Sequence, residues 1–164
     1  MLPDVLEEGL GIVFCGTAAG AVAARVGAPY AGPGNRFWWV LHDTGMTPRQ
    51  LEPAEFRTLP RYGIGLTDAA KHTSGPDSSL VRADFDPAAV IAKVERYAPR
   101  ILAFVGKRAA QEVLACPVTY GPQEGAIGVS DVWVVPSTSG AARGAWDIHP
   151  WQELARRQTC AGGL

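Results

Sequence analysis

The sequence is poor in the features that mark membrane, secreted or metal-binding proteins. No apolar run approaches the roughly 18 residues that a membrane-spanning helix needs. The opening Met1-Leu2-Pro3-Asp4 is acidic where a secretory signal is basic. Cysteine is scarce: residues 15, 116 and 160 have no metal-ligand spacing and cannot all pair. That scarcity points to a reducing, intracellular (cytoplasmic) compartment. His42, His72 and His149 are scattered and form no constellation. Charge is thin and nearly balanced, at a formal −1. This excludes an extended polybasic nucleic-acid surface, although a compact site can still grip a few phosphates. Dinucleotide and Walker fingerprints, a G-x-S-x-G elbow and a zinc cluster are all missing. So are internal repeats and long linkers, and the 164 residues read as a single domain, 1–164, large enough for a real core.

What the chain does have is a set of buried-strand signals, each followed by a loop of small residues. Ile12-Val13-Phe14-Cys15 runs into Gly16-Thr17-Ala18-Ala19-Gly20, a strand at about 11–16 ending in a glycine-bounded turn. Eighteen turn-rich residues follow, 21–38, carrying Tyr30 and then Gly32-Pro33-Gly34-Asn35-Arg36-Phe37-Trp38. The pattern then predicts a helix from Arg36 to Thr44, capped by Gly34 or Asn35, with Phe37, Trp38 and Trp39 as core. Short helices are expected over Arg49–Glu52 and 54–59, interrupted by Pro53. A short strand or extended loop is expected over 63–68, and a polar loop over 72–79. Asp86-Pro87 opens the clearest helix, with Val90, Ile91, Val94 and Tyr97 on one face and Pro99 as its stop. Strand 101–105, helix 108–114, a third core strand within 126–135 and a final helix over about 147–158 complete the pattern, with 161–163 as a loose tail. Strands alternating with helices predict a three-layer α/β/α domain with a mostly parallel sheet. The loops 16–20, 67–68 and 137–143 then meet at the carboxyl edge, where open α/β sheets bind ligands.

The strand ending in Gly16-Thr17-Ala18-Ala19-Gly20 is followed by Pro29-Tyr30-Ala31 and then Pro33-Gly34-Asn35-Arg36-Phe37-Trp38. Further along come Gly63-Ile64-Gly65-Leu66-Thr67, Gly106-Lys107, and Pro136-Ser137-Thr138-Ser139-Gly140. Together these pieces resemble the mismatch-specific uracil-DNA glycosylase / thymine-DNA glycosylase branch of the uracil-DNA glycosylase superfamily. The similarity spans nearly the whole chain. Two motifs depart from the family pattern. The first, usually G-I-N-P-G, has Ala18 in place of the asparagine that positions the attacking water, and a methyl group makes no hydrogen bond. The second has Ser137-Thr138 where Asn-Pro is usual.

The resemblance implies a glycosylase-like fold and an enzyme that flips a damaged nucleotide from the stack and hydrolyses its N-glycosidic bond. It needs no cofactor or metal, and its partner is DNA carrying uracil or a mismatch, met as a monomer. Tyr30 would stack on the base, with Thr17, Ala18 and Asn35 lining its edge. Ser137, Ser139, Gly140, Ala141 and Arg143 would press on the duplex, and Lys107 would meet phosphate. The developing sugar charge calls for a carboxylate to replace the missing asparagine. Asp43 falls on a solvent face, and Asp84 and Asp86 read as caps. Asp68 is the first candidate, held at the end of a core element, and it would otherwise cap a helix at 69–71. Asp77, in a mobile-looking loop, is the reserve. A binder of damaged DNA that has lost catalysis and a hydrolase of free nucleosides remain alternatives.

Overall fold

The computed structural model describes residues 1–162, with the side chains of Arg143, Cys160 and Ala161 outside that description. Its centre is a five-stranded sheet in the order β2-β1-β3-β5-β4. The strands are β1 (Ile12–Gly16), β2 (Ile64–Asp68), β3 (Ile101–Val105), β4 (Gly121–Ile127) and β5 (Ser130–Val135). The first three and β5 run parallel, and β4 joins β5 antiparallel at one edge. Parallel strands are covered on both faces, so β1 and β3 are buried at every position and read as unbroken apolar runs.

Alternate residues of each strand feed two separate cores. Ile12, Phe14, Ile64, Ala103 and Trp133 meet α2 (Phe37–Asp43), the 3₁₀ segment Pro53–Tyr62 and α5 (Ile148–Gly162) on one face. Val13, Cys15, Leu102, Phe104 and Val134 meet α3 (Pro87–Tyr97) and α4 (Lys107–Leu114) on the other. This is the expected three-layer arrangement. Asp86 accepts from the Ala89 N–H and caps α3 as its sequence indicated.

Five local expectations are corrected. Residues 21–26 form α1 (Ala21–Val26), where only turns were expected; six residues are too few to show a helical period. No helix forms at 49–52, and Pro53 opens the following 3₁₀ segment instead of interrupting a helix, since a proline fits a first helical position. The stretch 126–135 is a hairpin, turned at Gly128 and Val129, and not one strand; β4 lies on the sheet edge and is mostly exposed, so it lacks an apolar signature. Trp39 is 40% exposed while Phe37 and Trp38 are buried, because three successive helical residues span too wide an arc to share one face. Helix α5 continues through Ala161 to Gly162 where a loose tail was expected, and Gly163 lies outside the described residues.

The chain's first residues add an unforeseen element. Val5 pairs antiparallel with Leu66 through two backbone hydrogen bonds, extending the sheet beyond β2. Gly65 makes this approach possible: a Cβ there would lie 2.5 Å from the Val5 carbonyl oxygen.

Candidate active site

The strand order places a switch point between β1 and β3, whose outgoing connections lead to opposite sides of the sheet. A cleft of about 570 Å³ opens there, at the carboxyl ends of the strands. Residues 16–23 form one side, Asp68 and 75–78 another, and 137–142 a third, with Pro29, Tyr30, Pro33 and Asn35 completing it. The two small-residue loops therefore share one edge, as their sequence positions required.

Tyr30 sits in the floor with φ of +56°, a conformation bulky residues rarely adopt. Its ring stacks on Phe37 at 3.9 Å and 15°. Phe37 in turn meets Phe14 edge-on, and Phe14 stacks on the fully buried Trp151. An aromatic column thus runs from the cleft into the core and fixes the outermost ring. The Trp38 indole N–H donates to the Pro29 carbonyl and holds the turn before Tyr30. Burial, and then the neighbouring Asp68, push the Tyr30 phenol well above its ordinary pKa and keep it neutral.

Asp68 ends β2 directly beside Gly16 of β1. The missing side chain at position 16 is what allows the site to close. A Cβ there would stand 2.8 Å from Asp68 Oδ1 and 3.0 Å from Tyr30 Oη. Burial pushes the Asp68 carboxyl up to about 6 from 3.8, with Lys71 opposing the shift and Asp4 adding to it. No helix follows at 69–71. The Ala69 and Ala70 N–H groups pair instead with the carbonyls of Gly16 and Thr17, so the capping role expected for Asp68 has no helix to serve.

Asp77 is not in a loosely held loop. Thr17 Oγ1 donates to its carboxylate at 2.6 Å, and Gly75 N–H donates to the Ala19 carbonyl. Arg108 donates to the carbonyls of Leu80 and Asp77 and pairs with Glu112. This cation at the start of α4, electrostatically unfavourable there, clamps the 77–80 segment to the helix. Asn35 lines the cleft and accepts from the Phe37 N–H, but the N-cap of α2 is Arg36, one residue later than the expected cap at position 34 or 35, and the Arg36 side chain makes no capping bond.

On the third side Ser137 Oγ accepts from the Ser139 N–H, and Ser139 Oγ from the Ala141 N–H. Gly140 packs tightly on Pro33 and Gly34, and Arg36 N–H donates to the Thr138 carbonyl, which ties this loop to the segment before α2. Lys107 is not brought to the cleft; its ammonium lies over the Tyr120 ring at 4.6 Å. The Arg143 side chain lies outside the described residues. Among the described residues, no group of His, Cys, Asp or Glu is arranged to hold a metal ion. No described helix is long and apolar enough to cross a membrane.

The fold and cleft define a doubly wound α/β/α protein with a carboxylate and an aromatic floor at its switch point. The sequence matches the uracil DNA glycosylase superfamily over residues 3–157, and the chain belongs to that superfamily. The solution NMR structure of a "putative Uracil DNA glycosylase" from Methanosarcina acetivorans has the same fold, with a TM-score of 0.63. It is 19% identical in sequence, over 96% of each chain.

Proposed function

We propose that the protein is a monofunctional DNA glycosylase of the mismatch-specific type that excises uracil and leaves an abasic site. The observation that carries this is the convergence of Asp68 and Tyr30 over Gly16, under a loop of small residues. In this reading the flipped base stacks on Tyr30, whose underside is already fixed by Phe37, and Thr17, Ala18 and Asn35 line its edge. The loop carrying Ser137, Ser139, Gly140, Ala141 and Arg143 presses on the duplex. Its alanines are weak wedges, which favours sites that are already poorly paired.

The glycosidic bond between C1′ and the base nitrogen breaks as positive charge builds on the sugar. The electron pair leaves with the base, which then takes up a proton. Asp68, ionised above about pH 6, accepts a proton from the water whose oxygen bonds to C1′, and its charge offsets that on the sugar. It takes over what the family asparagine does from the place held here by Ala18.

The test is abasic-site cleavage after incubation with duplexes carrying uracil opposite guanine or adenine. Wild type should release uracil, and faster opposite guanine. Asp68→Asn should lose about 10²–10⁴-fold, the usual worth of a general base, while binding the duplex as wild type does. Wild-type release by Asp68→Asn would remove Asp68 from the mechanism and make Asp77→Ala the next variant. Tight binding with no release by wild type would favour a binder of damaged DNA.

A further inference from the structure

The catalytic reading leaves unexplained a partly buried set of charges behind Asp68. Lys71, three residues beyond β2, is largely buried with a 14% exposed side chain. Its ammonium donates to the Leu2 carbonyl at 2.6 Å and to Asp4 Oδ1 at 2.8 Å. Its distance to Asp68 Oδ2 is 3.9 Å, too long for a hydrogen bond but close enough for a Coulomb attraction. Asp4 is fully engaged in turn. It also accepts from Thr67 Oγ1 at 2.8 Å and pairs with Lys93 of α3 at 2.7 Å. Burial alone would raise the Asp4 carboxyl, but the hydrogen bonds from Lys71 and Lys93 outweigh it and hold the group below the ordinary range.

We propose that Lys71 is a positioning residue for base excision, held by Asp4 and the Leu2 carbonyl at a distance where it favours the charged form of Asp68 without occupying its oxygens. This inference rests on the reading of Asp68 given above. An ammonium in hydrogen-bond contact would take up a lone pair of the carboxylate and lower its basicity toward water. An absent one would leave the carboxylate buried and harder to ionise. The Val5–Leu66 pairing fixes the tether, so the chain's first five residues belong functionally to the site.

Other groups face Asp68 as well. Cys15 and Tyr30 are both held neutral, principally by burial. Lys93 stands behind Asp4, and Asp77 lines the same side of the cleft as Asp68. Lys71 and Asp4 are therefore the near charges whose removal should move the Asp68 titration, and they should move it in opposite directions. Losing the cation disfavours the carboxylate. Losing Asp4 removes a like charge and frees Lys71 to close on Asp68.

The experiment is single-turnover uracil excision from a uracil–guanine duplex as a function of pH, with the full chain and its variants. In Lys71→Met the acid limb should move about one unit to higher pH, with the alkaline plateau kept. Lys71→Arg should restore the wild-type midpoint. In Asp4→Asn the midpoint should move to lower pH and the plateau should fall. A uniform loss of rate in Lys71→Met with an unmoved midpoint would make Lys71 a packing residue and overturn the inference. If Lys71→Met does not fold, Asp4→Asn decides, since an unmoved or raised midpoint there also overturns it. Asp68→Asn is the internal control. If it loses activity while Lys71→Met keeps the wild-type profile, only the role of Lys71 fails. If Asp68→Asn keeps wild-type activity, the catalytic reading itself has failed.

Discussion

The two walls of the cleft are built differently. The wall at the end of β2 is dense and charged: Asp68, Lys71, Asp4 and Lys93 are linked through short contacts, most of them partly buried. The facing wall, residues 137–145, consists of serine, threonine, glycine and alanine apart from Arg143, with a kink at Ala142 inside its 3₁₀ turn. Moving a charge on the first wall requires several partners to rearrange, whereas the second is held mainly by short backbone turns and by its packing against Pro33 and Gly34. Bond-breaking chemistry needs groups fixed to within about half an ångström, but a surface that meets DNA must adapt to it. On the proposed function, chemistry would fall to the β2 wall and duplex contact to the small-residue wall.

That assignment breaks first at Gly16. In Gly16→Ala the new methyl group drives Asp68 and Tyr30 apart, and misplacement on the order of 1 Å can cost about a hundredfold. Single-turnover excision should fall by that order with duplex affinity nearly unchanged; an equal loss of both would show that the walls are not separable. Tyr30→Ala comes next. Removing a stacking ring costs about 1–3 kcal/mol, or roughly 5–150-fold in excision, and Tyr30→Phe should keep most of the rate. Equal rates in wild type and Tyr30→Ala would take the base off this ring.

A smaller effect sharpens the comparison through stability. The folded-state pKa of Asp68, about 6, lies above its ordinary 3.8, so the fold prefers the protonated form. Well below the unfolded value of 3.8 the group is neutral in both folded and unfolded states and carries no penalty. As pH rises through the interval to 6 the penalty appears, reaching roughly 2–3 kcal/mol. Asp68→Asn should therefore be more stable than wild type at about pH 8, with the advantage shrinking as pH falls and vanishing only well below 3.8, as measured by urea unfolding. A carboxylate kept for structure would show the reverse.

The dense wall was only half legible in the sequence. Asp68 stood out because it closes an apolar run, and the strands of the parallel core announced themselves as Ile12–Cys15 and Ile101–Val105. Its supports did not. Asp4 and Lys71 are 67 positions apart by their numbering, and nothing local marks them as partners; the acidic opening reads as a lead-in until the Val5–Leu66 pairing is seen. Arg108 was similarly opaque, since a cation at a helix start has no local rationale and its partners lie in the 77–80 segment. Strand β4 was hidden because an exposed edge carrying Pro122 and Gly125 has no alternation to read. The motif loops were legible because backbone geometry and small size are written directly in their composition.

The smallest effect belongs to the other wall. Arg143 is the only charged residue between Val135 and Trp146, so on the proposed function any electrostatic grip of this wall on phosphate would depend on it. Each phosphate contact releases about one counterion, and losing one lowers the slope of log affinity against log salt by about one unit. Arg143→Ala should thus weaken duplex binding severalfold at low salt and progressively less as salt rises, with the same change for uracil-containing and undamaged DNA. The excision rate of bound uracil should stay at the wild-type value, because the carboxylate and the aromatic floor are untouched. Titrations at three or four salt concentrations, with single-turnover excision at saturating enzyme, separate the two quantities. An unchanged slope would make Arg143 a structural residue. A lowered slope accompanied by slower excision of bound substrate would mean that the small-residue wall also sets how the base is presented to Asp68, and the division between the walls would have to be abandoned.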